Sequence, residues 1–185
     1  GDIHRYTYKD MAARARKVAR VLDAMQLEAG DRAATLAWNG YRHLELYYGV
    51  SGSERVLHTL NPRLHPDQVV WIVNHAEDKV VFFDTSFLPI IQAVHTRCPQ
   101  VTHWVALCDA DKLPADSGVP GLQSYEALLA AQSDGYAWPV FDENTASSMC
   151  YTSGTTGNPK AALYSHRSSV LHARLSYTSP RPRAQ

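Results

Sequence analysis

The sequence has no surplus of charge of either sign: 18 Lys and Arg balance 18 Asp and Glu across 185 residues. A nucleic-acid backbone or an anionic membrane surface calls for a clustered basic face, so neither partner is indicated. Long apolar runs are equally scarce. The longest, such as Val69–Val73 and Val80–Phe83, fall far short of the roughly 20 residues of a membrane-spanning helix. No secretory leader is visible, and the chain opens on Gly1 rather than Met, as a piece cut from a longer chain would. Cysteine is sparse too: Cys98, Cys108 and Cys150 form no CxxC pair and leave an odd thiol, and there is no Asn-x-Ser/Thr acceptor. A reducing, cytoplasmic-type compartment is the simpler expectation. Nine histidines are present, but their spacings match no zinc pattern, so they read as scattered surface or core residues. With 45% hydrophobic and 19% charged residues, the chain is neither disordered, collagenous nor a coiled coil, and a packed domain is the default.

What is present alternates between strand and helix patterns. Thr7-Tyr8-Lys9-Asp10 has the form of a capping box, and Met11, Ala15, Val18, Leu22 and Met25 follow at helical spacing before a glycine stop at Gly30. Ala33 to Trp38 reads as a strand closed by Asn39-Gly40. Arg42 to Val50 then winds a helix with Leu44, Tyr47 and Tyr48 inward. Val56 to Leu60 is a strand, and Pro66 suits the first turn of a helix carrying Val69, Ile72 and Val73. Val80 to Phe83 is apolar on both faces, which suggests a strand covered by helices on both sides. Ser86 is positioned to cap a helix with Leu88, Ile91 and Val94 as its stripe, and His103 to Leu107 is a further strand. Trp38, Tyr47, Tyr48 and Trp71 sit on periodic apolar faces and read as core. This order predicts an α/β fold with a largely parallel sheet flanked by helices. Residues 109–121 turn to Asp, Pro, Gly and Ser, a candidate subdomain boundary, before a short helix at Tyr125 to Gln132 and an apolar strand at Ala146 to Tyr151.

The next ten residues carry the chemistry. Tyr151-Thr152-Ser153-Gly154-Thr155-Thr156-Gly157-Asn158-Pro159-Lys160 combines hydroxyls, two glycines and a lysine directly after an apolar strand. Glycines let backbone N–H groups turn toward a ligand, hydroxyls add donors and lysine adds a mobile positive charge, a set suited to polyphosphate. The alternative is a solvated turn between two strands. Walker A fails because Pro159 stands where its second glycine is required, and the dinucleotide fingerprint is only half present. A nucleophile elbow fails at Ser153, because Tyr151 stands where it needs glycine, and at Ser51, because Ser53 closes it.

The segment resembles the phosphate-binding signature of the adenylate-forming enzymes, the AMP-binding superfamily of acyl-CoA synthetases, luciferases and adenylation domains. The family pattern runs Tyr-Thr-Ser-Gly-Thr-Thr-Gly-x-Pro-Lys-Gly, and Tyr151 to Lys160 satisfy ten consecutive positions of it. Leu163-Tyr164-Ser165-His166-Arg167-Ser168 and Leu57-His58-Thr59-Leu60-Asn61-Pro62-Arg63-Leu64 are similar to the fatty-acid and 3-methylthiopropionate CoA ligase branch. An adenylation domain feeding a carrier protein shares the loop but fits Leu57 to Leu64 less well. The resemblance implies an incomplete N-terminal AMP-binding domain over residues 1–173. It implies a fragment of an acid–CoA ligase that activates a medium- or long-chain carboxylate with ATP and passes the acyl group to CoA. By position in the motif, Thr152, Ser153, Gly154, Thr155, Thr156, Gly157 and Lys160 would hold the phosphates. Lys160 and Thr155 would be the catalytic pair, and the Thr152 hydroxyl would stand near Mg²⁺. The CoA site is expected outside this chain.

Three departures from the family stand out. Ala161 replaces the usual glycine after the loop lysine. It would strain the loop if that position needed positive φ and would be harmless in extended backbone. Glu54-Arg55 replaces small residues, commonly Gly-Ala, and would either distort the turn or snorkel to solvent. Residues 174–185 hold three arginines and no acid and diverge from the family, as a disordered tail would. The other function class is therefore a non-catalytic remnant, at most a weak nucleotide-binding or interaction module. An incomplete sheet would also expose edges, leaving association with a partner or a second copy of the chain open. His166 and Arg167 are expected to begin a helix capped by Ser165.

Overall fold

In the computed structural model, which describes residues 4–152 and 159–178, the strand and helix patterns assemble into one sheet. The strands are β1 (Arg32–Leu36), β2 (Val56–Thr59), β3 (Val80–Phe83), β4 (His103–Ala106), β5 (Gln123–Ser124), β6 (Ala146–Thr152) and β7 (Lys160–Ser165). The helices are α1 (Tyr8–Ala24), α2 (Tyr41–Gly52), α3 (Pro66–Ala76), α4 (Leu88–Val94), α5 (Tyr125–Ala130) and α6 (His166–Thr178). The sheet order is β5-β4-β3-β1-β2-β6-β7; every pair is parallel except β6 with β7. The predicted α/β sheet is therefore present, and residues 109–121 join two strands that pair within it.

Burial on both faces explains the unbroken apolar runs. Ala33, Val80 and Phe82 face one core with Val18, Leu22, Leu46 and Tyr125, whereas Ala34, Val81 and Phe83 face the other with Ile72, Val73 and Ile91. Successive strand residues point to opposite faces, so a central strand must be apolar at every position.

Helix ends follow local chemistry with two corrections. Thr7 Oγ1 accepts from the Asp10 amide at 3.2 Å, and the Asp10 carboxylate accepts from the Thr7 amide at 2.9 Å, the predicted capping box. Gly30 does not stop α1. The helix ends at Ala24 and Gln26 takes the left-handed conformation at φ 60°, leaving Gly30 to donate its N–H to Glu54 O at 2.7 Å. Pro66 opens α3 as expected, behind a His65 cap. Ser86 does not cap α4; a 3₁₀ turn over Thr85–Phe87 precedes the helix, and Ser86 Oγ accepts instead from Trp38 Nε1 at 3.0 Å.

The orientation of α2 also differs from expectation. Leu44, Tyr47 and Tyr48 are exposed, and the buried face is His43, Glu45, Leu46, Gly49 and Val50. The reason lies in the packing of α1: a Cβ on Gly49 would fall 2.5 Å from Val18 Cβ, so the two helices meet closely along that glycine. Glu45, fully buried, is paid for by Arg14 Nε at 2.6 Å and the Tyr125 hydroxyl at 2.7 Å. Trp38 is likewise exposed, at 59%, rather than core, while Trp71 is partly buried.

The two substitutions between α2 and β2 are absorbed locally. Glu54 holds φ 64°, the conformation a glycine adopts without cost, and Arg55 is buried rather than snorkelling. Arg55 donates to Leu27 O at 2.5 Å, Asp23 Oδ1 at 2.8 Å and Ser53 O at 3.1 Å, tying the end of α1 to β2. At the other end of the chain, Arg174 to Thr178, expected within the divergent tail, continue α6; residues 179–185 lie outside the described residues. Ser165 Oγ accepts from the Ser168 amide at 3.1 Å, as a cap for α6 should.

Candidate functional site

The motif spans a hairpin. β6 runs parallel to β2, with His58 opposite Met149, and β7 returns antiparallel along its other edge. Its register places Thr152 opposite Lys160 and Tyr151 opposite Ala161. Ala161 therefore sits in a strand, outside the left-handed region, where replacing glycine costs nothing in backbone strain. The loop leaves the carboxyl end of β6, the same edge on which the parallel strands β1 to β5 end, where open α/β sheets bind their ligands.

Of the residues expected to hold phosphate, Thr152 and Lys160 are described, and the structure brings them together at the mouth of the hairpin. Both are exposed, and Thr152 Oγ1 makes a long 3.4 Å contact with the Lys160 carbonyl. Ser153, Gly154, Thr155, Thr156 and Gly157 lie outside the described residues.

Beneath the hairpin is a group of rings that pattern reasoning did not connect. Tyr151 is half-buried, its hydroxyl 2.7 Å from His75 Nδ1 and its ring 5.2 Å from the ring of His58. His75 stacks on Trp71 at 4.6 Å. His58 is fully buried, and its Nδ1 lies 3.0 and 2.8 Å from the two oxygens of Asp78, also fully buried. An ionised carboxylate accepts only, so Nδ1 carries the proton. Burial, the largest influence, holds the Asp78 carboxyl above its ordinary value, even though the bond to His58 and the charges of His58 and Arg32 act to lower it. Burial likewise raises the Tyr151 hydroxyl. The only sequence signals were a histidine inside the apolar strand Val56 to Leu60 and an aspartate beside Val80 to Phe83; neither spacing reveals that they meet.

The AMP-binding enzyme family matches residues 1–183. The chain is 52% identical over 173 residues to the medium-chain-fatty-acid–CoA ligase of Ectopseudomonas oleovorans, aligning 94% of its own length with 32% of that protein. It is 49% identical over 178 residues to the 3-methylmercaptopropionyl-CoA ligase of Ruegeria lacuscaerulensis, covering 96% of this chain and 33% of that one. Among solved structures, a Mycobacterium tuberculosis fatty acyl CoA synthetase superposes with TM-score 0.82 at 26% identity, over 98% of this chain and 33% of that one. The chain spans about a third of the length of the relatives it matches. With the family match running across nearly the whole chain, and the motif flanked by the paired strands β6 and β7, this chain belongs to the AMP-binding enzyme family.

Proposed function

We propose that this chain is the triphosphate-binding portion of an acid–CoA ligase acting on a medium- or long-chain carboxylate in a reducing, cytoplasmic compartment. In that reaction a carboxylate oxygen attacks the α-phosphorus of ATP, the bond from the α-phosphorus to the bridging oxygen breaks, and pyrophosphate leaves. The CoA sulfur then attacks the acyl carbonyl, giving up its proton, and AMP departs with the electron pair of the broken C–O bond. The observation that carries the reading is the hairpin register, which sets Thr152 and Lys160 directly opposite each other at the two ends of the Ser153–Pro159 loop. An ammonium and a hydroxyl held there on paired strands are preorganised to meet negative charge in the loop, and preorganised charge is the main source of catalysis in phosphoryl chemistry. The relatives' activities support the substrate classes. Free Cys98, Cys108 and Cys150 suit the compartment.

Magnesium fits this donor set as a passenger on the nucleotide. Among the described residues no three His, Cys, Asp or Glu gather to hold a metal, and Thr152 offers one exposed neutral oxygen. A small, hard cation of this kind takes most of its ligands from phosphate and water and only one or two from a protein. When bound, it neutralises charge on the phosphates. Thr152 would contact it through the hydroxyl, and Lys160 would pair with the phosphate oxygens.

The chain by itself is expected to bind MgATP. Isothermal titration should show Lys160→Ala weakening binding about 10- to 100-fold, the loss of one charge-assisted bond of roughly 1.5–3 kcal/mol. Thr152→Ala should weaken it several-fold. Equal binding by all three proteins would remove the assignment.

A further inference from the structure

The ring group below the hairpin has a composition that packing alone does not call for. Two ionisable side chains, His58 and Asp78, are fully buried together. Such a pair costs more to desolvate than an apolar pair of similar volume, so stability is a poor reason for it. His58 Nε2 is buried and, among the described residues, has no hydrogen-bond partner. The ring is nevertheless fixed, because Nδ1 bonds both Asp78 oxygens. What that fixed ring touches is Tyr151, at 5.2 Å between centroids and tilted by 45°. Tyr151 is pinned again at its far end by His75, which Trp71 in turn holds by stacking at 17°. Tyr151 is thereby clamped at ring and hydroxyl, and its backbone is the residue directly before Thr152.

We propose that the His58–Asp78 pair is a positioning device for the phosphate loop: Asp78 orients His58, His58 seats the ring of Tyr151, and the seated Tyr151 fixes the end of β6 from which the loop departs. No proton transfer to substrate is involved, since His58 is sealed beneath Tyr151 and touches none of the loop residues that are described. The consequence for ligand rests on the reading of that loop as a triphosphate site. The positioning itself does not. Among charged groups, Asp78 faces His58 from the turn after α3, and Arg32 of β1 acts on both Asp78 and Tyr151.

The test is amide hydrogen exchange of the ligand-free chain, read by mass spectrometry on peptides covering residues 150–162. His58→Asn keeps a side-chain N–H for Asp78 and removes the ring. Asp78→Asn keeps the shape and removes the charge. Each is expected to speed exchange in residues 150–162 by about tenfold while peptides from α1 and β4 stay within twofold of wild type, the pattern of local opening. Exchange unchanged in 150–162, or raised by the same factor in α1 and β4, would overturn the proposal by showing no role or a purely global one. Should His58→Asn fail to fold, the near-isosteric Asp78→Asn carries the same expectation and the same refutation. MgATP added to wild type should slow exchange in 150–162. Its failure to do so would count against the triphosphate reading and would leave the ligand-free comparison to decide the positioning.

Discussion

Replacing Glu45 with glutamine tests the account of the α1–α2–α5 core with one atom. Glu45 is fully buried, accepts from Arg14 Nε at 2.6 Å and accepts from the Tyr125 hydroxyl at 2.7 Å. Glutamine offers one acceptor oxygen and turns a donor toward whichever partner the other oxygen served. If Tyr125 loses its acceptor, a fully buried hydroxyl is left unsatisfied at a cost of about 1–3 kcal/mol. Arg14 loses an ionic partner, and because its side chain is 26% exposed and retains Glu126 at 2.9 Å, that loss is worth about 1–2 kcal/mol rather than the full value of a broken buried pair. The sum is about 3 kcal/mol, or a fall in Tm of roughly 6–12 °C for a chain of this size. Tyr125→Phe should cost about 1 kcal/mol, and adding it to Glu45→Gln should cost almost nothing, because the remaining oxygen is then free for Arg14. Urea unfolding followed by circular dichroism, with m unchanged across the set, reads all three values. A Glu45→Gln loss below 1 kcal/mol, or strict additivity with Tyr125→Phe, would refute the reasoning.

Three further expectations follow from the same structure. Arg55→Ala strands the Leu27 and Ser53 carbonyls and should cost about 2–3 kcal/mol in urea, with the Asp23 bond contributing least because that carboxylate is half-exposed. Gly49→Ala should cost about 3 kcal/mol, since its new Cβ would meet the Ala15 carbonyl at 2.8 Å and neither helix can yield. Gly52→Ala, which meets only the Trp138 ring at 2.9 Å, should cost under 1 kcal/mol by the same assay. Burial alone would raise the Glu126 carboxyl, but bonds from Arg14 and Arg42 outweigh it and hold it below its usual 4.5. A group depressed in the folded state contributes stability above the unfolded value and loses it as pH falls through the folded one, so Tm should decline below about pH 4.5, and less steeply in Glu126→Gln.

Much of this architecture was legible because strand and helix periods are physical. Val80 to Phe83 could be apolar at every position only if both faces were covered, and the cores on either side of β3 confirm it. The family was legible for a different reason: Tyr151 to Lys160 is dense in residues whose chemistry suits phosphate, and the family match runs across them. The face of α2 was not, because three of its large apolar residues, Leu44, Tyr47 and Tyr48, are exposed while a charged Glu45 is buried beside Leu46 and Val50. Periodicity scores side chains one at a time and cannot see that Arg14, 31 residues earlier, and Tyr125, 80 residues later, make Glu45 acceptable inside. His58 and Asp78 were missed for the same reason. A buried polar pair is visible only once the strands that carry it are assembled.

The most direct test of the central claim is a comparison of MgATP, ADP and AMP binding to this chain by isothermal titration, with Lys160→Ala alongside. If the loop between Thr152 and Lys160 grips the β- and γ-phosphates, affinity should fall from ATP to ADP to AMP, and Lys160→Ala should flatten that order. Equal affinity for all three nucleotides, or an order unchanged by Lys160→Ala, would contradict the account.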